Sequence, residues 1–204
     1  MSKRSRLREG AYTLLFMLVV TSVFIAATSA TYLATRERVE RNKKLYIQRA
    51  IMRAAGIAPP ADDAKAAELF ATSVAPEGPE GATERYRVAT PVGAALVFLR
   101  EGAGLWGTIG AAVGFTEKLD GTMTGIAFTS QNETPGLGAR IEEEWFTKQF
   151  TGKRGPFTTR PEGEPTELNE FDAITGATIT TNAVRDLINE AIRDAPNFGA
   201  PSED

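Results

Sequence analysis

The sequence predicts an α+β domain carried behind a single N-terminal transmembrane helix. Three observations predict it. Residues 11–33 contain no charged side chain and are rich in Leu, Val, Phe, Ile and Ala. Residues 86–130 alternate short β-prone runs with turn residues. Residues 181–194 place Ala183, Val184, Leu187, Ile188, Ala191 and Ile192 as adjacent apolar pairs repeated every four positions, which is one face of a helix.

At a rise of about 1.5 Å per residue, the uncharged run is long enough for a hydrocarbon core about 30 Å thick. Tyr12 and Tyr32 fall where aromatic side chains meet the two interfaces. Small residues at Ala27-Thr28-Ser29-Ala30 also fit a signal-peptide cleavage site, but the apolar run exceeds a signal core of about 7–15 residues, which favours a retained anchor. Lys3, Arg4, Arg6 and Arg8 precede the run, and Arg36, Arg38, Arg41, Lys43, Lys44 and Arg49 follow it, so charge does not choose an orientation.

Residues 35–56 read as a helix continuing or following the span, with Leu45, Ile47, Ile51 and Met52 as its apolar stripe. Gly56 and Pro59-Pro60 end it. A short helix is expected over 62–71, then a turn or linker over 76–81. Strands are expected at 86–88, 94–99, 105–115 and 123–130, with Asp120-Gly121 turning into the last. Gly107, Gly110, Gly114 and Gly125 interrupt these strands and mark bulges or the close approach of a ligand. A loop over 131–138, a helix over 140–150 and an irregular Gly- and Pro-containing connection lead to the last helix. The tail from 196 to 204 reads as disordered.

The chain of 204 residues has a formal net charge of −3, no cysteine and no histidine. Those absences exclude disulfides, thiolate nucleophiles, cysteine-held iron–sulfur clusters, imidazole bases and a Ser-His-Asp triad. Redox chemistry, if present, falls to an organic cofactor. The weakly acidic balance and the lack of a recognition motif give no sign of nucleic acid.

The chemistry concentrates in three stretches. The chain is organised around Asp172-Ala173-Ile174-Thr175-Gly176-Ala177-Thr178-Ile179-Thr180-Thr181, a hydroxyl-rich turn feeding the last helix. Thr178, Thr180 and Thr181 are all N-cap candidates, and Gly176 permits a backbone angle that other residues resist. Read for function, this is an anion site at a helix N-terminus with hydroxyls beside it; read plainly, it is a capped helix. The second stretch is Glu133-Thr134-Pro135-Gly136-Leu137-Gly138, and the third is Gly104-Leu105-Trp106-Gly107-Thr108. Together they suit a pocket where backbone lies against a flat ligand; singly, each is ordinary turn chemistry. Glu133 could move protons or hold a cation, but a loop-capping role is the preferred reading. Glu142, Glu143 and Glu144 read as a solvated helix face with Trp145 and Phe146 turned inward. Consecutive helical positions do not converge on a metal, so no metal site is expected.

These stretches carry a resemblance. Asp172, Thr175, Gly176, Ala177, Thr178 and Thr180 or Thr181 match an Asp, two variable residues, Ser or Thr, then Gly-Ala-Thr and a further Ser or Thr; Glu133 to Gly138 match Glu-Thr-Pro-Gly-Leu-Gly in full. In this order behind one span, they resemble the covalent-FMN-binding domain found in NqrC of the sodium-translocating NADH:quinone reductase (Nqr) and in RnfG of the Rnf electron-transport complex. The Gly-Leu-Trp stretch looks more like NqrC, although the chain is shorter than typical NqrC proteins.

The resemblance implies an antiparallel-sheet FMN-binding domain with flanking helices over 81–195, a helical connector over 34–80, the transmembrane helix over 11–33 and a short cytoplasmic tail over 1–10. It implies FMN held by a phosphoester on Thr178, with no catalytic residue of the chain's own. By the same resemblance Thr175, Gly176 and Ala177 line the phosphate and ribityl chain, with Thr181 beside them. Leu105, Trp106, Thr134, Leu137 and Gly138 lie near the ring, and Glu133 in the adjoining loop. Asp172 fixes the turn or is read by a flavin transferase, and Arg160 is either a stabiliser of negative charge on reduced flavin or a solvated surface arginine. The implied setting is a bacterial inner (cytoplasmic) membrane, with the flavin domain on the periplasmic or extracytoplasmic side. The implied partners are the other membrane subunits of an Nqr/Rnf-type complex and the transferase.

Overall fold

The computed structural model describes residues 3–77, 85–118, 120–163 and 167–195. The chain forms two compact units, Met1–Lys44 and Leu45–Asp204. Helix α1 (Lys3–Ala54) is a single α-helix of 52 residues, so the helix expected after the span continues it without a break. It is long and apolar enough to cross a membrane. Within the first unit Leu14, Phe16, Leu18, Phe24 and Ile25 are exposed. The hydroxyls of Thr28, Thr31 and Thr35 donate to the carbonyls four residues earlier at 2.7–2.9 Å, which satisfies them inside an otherwise apolar helix.

The second unit is a five-stranded antiparallel sheet whose spatial order follows the chain order. Its strands are β1 (Val74–Pro76), β2 (Arg85–Thr90), β3 (Gly93–Ala103), β4 (Thr108–Thr116) and β5 (Met123–Ser130). Successive side chains of a strand point to opposite faces. On β3, Ala95 and Val97 face one way and Leu96 and Phe98 the other, and all four are buried. That double burial explains the unbroken apolar run. Residues 50–55 pack Ala50, Ile51, Ala54 and Ala55 over the first face, against Val88, Ala112 and Ala127. Helix α4 (Thr178–Asp194) covers the second with Val184, Leu187, Ile188 and Ala191, against Phe98, Val113, Phe115 and Ile126.

Two strand glycines owe their place to the first face. A Cβ built on Gly114 would sit 2.0 Å from the carbonyl oxygen of Ala54, and one on Gly125 would sit 3.2 Å from it. Thr124 Oγ1 donates to that same oxygen at 2.7 Å. The close approach is therefore to a helix end, not to a ligand. The bulge expectation holds at Gly110 and Gly114, where the β4–β5 register shifts.

Helix α2 (Asp63–Ser73), capped by Asp62, forms where the short helix over 62–71 is expected. Several boundaries differ from the sequence reading. Strand β4 begins at Thr108, because Leu105, Trp106 and Gly107 form the hairpin loop that Gly104 N closes on Gly107 O at 2.8 Å. The helix expected over 140–150 is a 3-10 turn (Gly138–Glu142) followed by α3 (Glu144–Lys148), broken where Glu143 adopts an extended ψ of 145°. Phe146 is buried, Trp145 half-buried and Glu142 to Glu144 exposed, as expected. Strand β1 and the parallel pair β6 (Thr158–Arg160) and β7 (Glu170–Asp172) have three residues each, too short to show a period. Part of the 76–81 turn and the 196–204 tail lie outside the described residues.

Candidate functional site

The Asp172–Thr181 stretch leaves β7, makes a tight turn and enters α4. Gly176 has φ +81°, which a side chain resists. Ala177 N donates to Ile174 O at 2.9 Å. The turn is then closed from within the helix: Ile174 N donates to Thr181 Oγ1 at 3.2 Å, and Thr181 Oγ1 donates to Ala177 O at 3.0 Å. No threonine caps α4. Ala177 is the N-cap residue, at φ −127° and ψ 43°, and it makes no side-chain capping hydrogen bond. The capping expectation is thus corrected: the helix starts at Thr178, and Thr181 is spent on the turn.

The motif's threonines divide sharply. Thr180 and Thr181 are 1% exposed and their hydroxyls are bonded. Thr175 is exposed, but Glu162 engages it. Thr178 is exposed, and among the described residues its hydroxyl has no protein partner.

Glu133 joins the three stretches. Its carboxylate is buried, with 5% of the residue exposed. Oε1 accepts from Leu105 N at 2.9 Å and Trp106 N at 3.1 Å; Oε2 accepts from Thr180 Oγ1 at 2.6 Å. A charged acceptor makes such bonds short and strong. One side chain therefore ties the β3–β4 loop to the first turn of α4, a wider role than the loop-capping reading. The glycines around it are tight: a Cβ on Gly104 would lie 2.5 Å from Glu133 Oε1, and one on Gly138 would lie 2.7 Å from Thr180 Oγ1. Thr134 is exposed, and its carbonyl accepts from Leu137 N and Ala139 N at 3.1 Å each, folding the loop through Gly136 at φ +74°. Leu137 reaches Gly176, where a Cβ would meet its Cδ2 at 3.2 Å.

Beside this brace, Leu105, Trp106, Leu137 and Ile179 remain uncovered, Trp106 at 68% exposure. An exposed hydroxyl, an uncapped helix start and four uncovered apolar side chains fit a group with a phosphate at one end and a flat apolar ring at the other.

The remaining candidates lie along the β6–β7 pair. Arg160 Nη1 pairs with Glu170 Oε2 at 2.9 Å. Among the described residues Asp172 does not bond within the turn that leads into α4; its Oδ2 accepts from Gly163 N at 3.2 Å, and its backbone N donates to Gln149 Oε1 at 2.7 Å. Oδ1 of Asp172 is buried with no hydrogen-bond partner among the described residues. Nearby, burial lowers the Lys153 amine from its ordinary value against the opposing pull of Asp172 and Glu170.

Two residues that matter here are absent from the sequence reading, Glu162 and Arg140, and a third, Thr180, stands there only as a cap candidate and motif position. Thr180 lies four residues before Val184 on the buried face of α4, a hydroxyl where an apolar side chain is the norm, and that is the available signal. Glu162 and Arg140 stand in no motif. Glu162 Oε2 accepts from Thr175 N at 3.1 Å, and Oε1 pairs with Arg140 Nη2 at 3.3 Å. Arg140 lies over the Trp145 ring, 5.0 Å from its centroid. The backbone N–H of Thr175, then its hydroxyl and Arg140, hold the Glu162 carboxyl below its ordinary value. A lowered carboxyl pKa stabilises the fold above the ordinary value, and that contribution disappears as pH falls through the lowered one. The Thr175 amide resonance is therefore expected to titrate with a midpoint below 4.5, and Glu162→Gln is expected to abolish that titration. NMR of uniformly ¹⁵N-labelled protein measures both.

The fold and the site define a flavin-binding domain of the kind the motifs resemble. The FMN-binding domain family matches residues 104–193. The chain is 31% identical over 198 residues to the G subunit of the Na(+)-translocating ferredoxin:NAD(+) oxidoreductase complex of Acetobacterium woodii, covering 90% of each protein. It is 35% identical over 121 residues to the C subunit of the Na(+)-translocating NADH-quinone reductase of Chlamydia pneumoniae, covering 48% of this chain but only 38% of that one. The crystal structure of the corresponding reductase protein from Parabacteroides distasonis superposes with a TM-score of 0.69 at 20% identity, over 82% of this chain and 98% of that one. The chain belongs to the family of FMN-binding-domain proteins that contains these G and C subunits.

Proposed function

We propose that this protein is a membrane-anchored electron carrier, an FMN-bearing member of an Nqr/Rnf-type complex with no turnover of its own. The observation that carries the reading is the state of Thr178, the one threonine of its motif that is both exposed and without a protein partner among the described residues. FMN joined there by a phosphoester supplies acceptance and release of electrons one at a time. The chain's residues do the rest. The open N–H groups at the start of α4 receive the phosphodiester charge. Leu105, Trp106 and Leu137 give the ring an apolar seat, and Gly176 leaves room beside Leu137. Glu133 holds the seat and the acceptor helix in register. Thr175 and Ala177 shape the turn, and Arg160 acts from β6 only if its pairing with Glu170 is exchanged.

The span over 11–33, the cytoplasmic tail over 1–10 and the flavin domain over 81–195 on the periplasmic side complete the reading, with a flavin transferase as maturation partner. Relatedness over 90% of the chain to the Acetobacterium protein supports an Rnf-type partner set, and the Gly-Leu-Trp loop supports an Nqr-type one. Co-expression with a flavin transferase is expected to give a protein whose intact mass includes one FMN phosphoester. Thr178→Ala is expected to remove that increment and the in-gel flavin fluorescence completely. Persistence of covalent flavin in Thr178→Ala would overturn the assignment.

A further inference from the structure

Thr178, Asn182 and Arg185 occupy positions i, i+4 and i+7 of α4, a single stripe on its surface. Thr178 is exposed; Asn182 and Arg185 are half-buried. Arg185 Nη1 donates to Asn182 Oδ1 at 3.0 Å, and its Nε and Nη2 are held by Asp186 Oδ1 at 2.8 and 2.7 Å. A guanidinium only donates, so the amide atom facing Arg185 must be the oxygen. The Nδ2 group is then on the side of the amide away from Arg185. Helical side chains lean toward the N-terminus, so Asn182 covers the turn that begins at Thr178. Among the described residues Nδ2 has no protein acceptor.

A phosphodiester on Thr178 would place two unesterified oxygens and one negative charge beside that donor. We propose that Asn182, oriented by Arg185, donates its side-chain amide to an unesterified oxygen of this phosphodiester. The inference rests on the Thr178 reading and deepens it: the backbone N–H groups of the helix start gain a side-chain donor from one turn below. Arg185 shares its charge with Asp186, so it acts through Asn182 as a positioning residue and does not itself bind the phosphate.

The test uses the full chain in detergent micelles, produced with and without flavin transferase. On flavinylation the Asn182 side-chain ¹H–¹⁵N resonances of the wild type are expected to shift. Asn182→Asp and Asn182→Leu are each expected to move the ³¹P resonance of the phosphodiester, and Arg185→Met to move it less. Asn182→Asp sets a like charge beside the phosphate and is expected to lower the covalent flavin yield at matched expression about tenfold, the equivalent of one charge-assisted hydrogen bond. If the wild type is flavinylated but its Asn182 resonances do not change, and both Asn182 variants keep the wild-type ³¹P position, the inference fails while the Thr178 reading stands. If the wild type shows no phosphodiester resonance at all, the Thr178 reading itself fails.

Discussion

Replacing Glu133 with alanine is expected to destabilise the domain by about 3 kcal/mol. The substitution removes the acceptor of two backbone N–H groups, Leu105 and Trp106, and of the buried Thr180 hydroxyl. A buried donor left without a partner costs about 1–3 kcal/mol, which applies in full to the Thr180 hydroxyl and in part to the half-buried Leu105 and Trp106 N–H groups, where water reaching the vacated space offsets the loss. Glu133→Gln keeps the shape and one acceptor, and the Thr180 hydroxyl can turn from donor to acceptor, so about half the loss is expected. Urea denaturation of the full chain in detergent, followed by tryptophan fluorescence, reads both as lower midpoints at unchanged slope. The flavin assay separates stability from function. Glu133→Ala is expected to lower covalent FMN yield even under conditions where the variant stays folded, because Thr178 is then presented on an unbraced helix. An alanine variant within about 0.5 kcal/mol of wild type would show that the carboxylate braces nothing.

Gly114→Ala is the second large effect. The new methyl, held rigidly by the β4 backbone, would lie 2.0 Å from the Ala54 carbonyl oxygen, itself a backbone atom. Neither can swing away as a side-chain tip does, so the helix end must lift from the sheet. Overpacking of this kind costs about 1–3 kcal/mol, and occasionally more. The upper end is expected here, because Ala50, Ile51, Ala54 and Ala55 would all lose contact with Val97, Ala112 and Ala127. Gly125→Ala is the internal control. Its methyl would meet the same oxygen at 3.2 Å, a gap that small adjustments open, and a loss of about 1 kcal/mol or less is expected. Equal midpoints for the two variants would mean that the close approach at Gly114 is not what fixes the helix to the sheet.

These residues also show how much is legible in sequence. The long apolar helix, the last helix and the central strands are readable because each is long enough to show its pattern: 23 uncharged residues at 11–33, paired apolar positions along α4, and the run from Ala94 to Leu99 within β3. The three glycine-containing stretches stand out in the sequence because Gly, Pro and Thr cluster where the chain turns. What is not legible depends on contacts distant in sequence. Glu133 reads as a loop cap because its partners are 27, 28 and 47 residues away. The strand glycines point to a ligand because nothing local tells a helix end from a cofactor. The threonines all resemble caps, and only the packed helix shows which hydroxyls are consumed and which one is left.

Because the strand order of the sheet repeats the chain order, each strand meets a neighbour that has just been synthesised. Hairpins of this kind close within microseconds, without a search through distant sequence. The apolar face left by the completed meander is sealed only when Val184, Leu187 and Ile188 arrive near the C-terminus. A nascent chain stalled ahead of that final helix would carry a finished sheet with one greasy side showing. In that interval chaperones and proteases have most to hold.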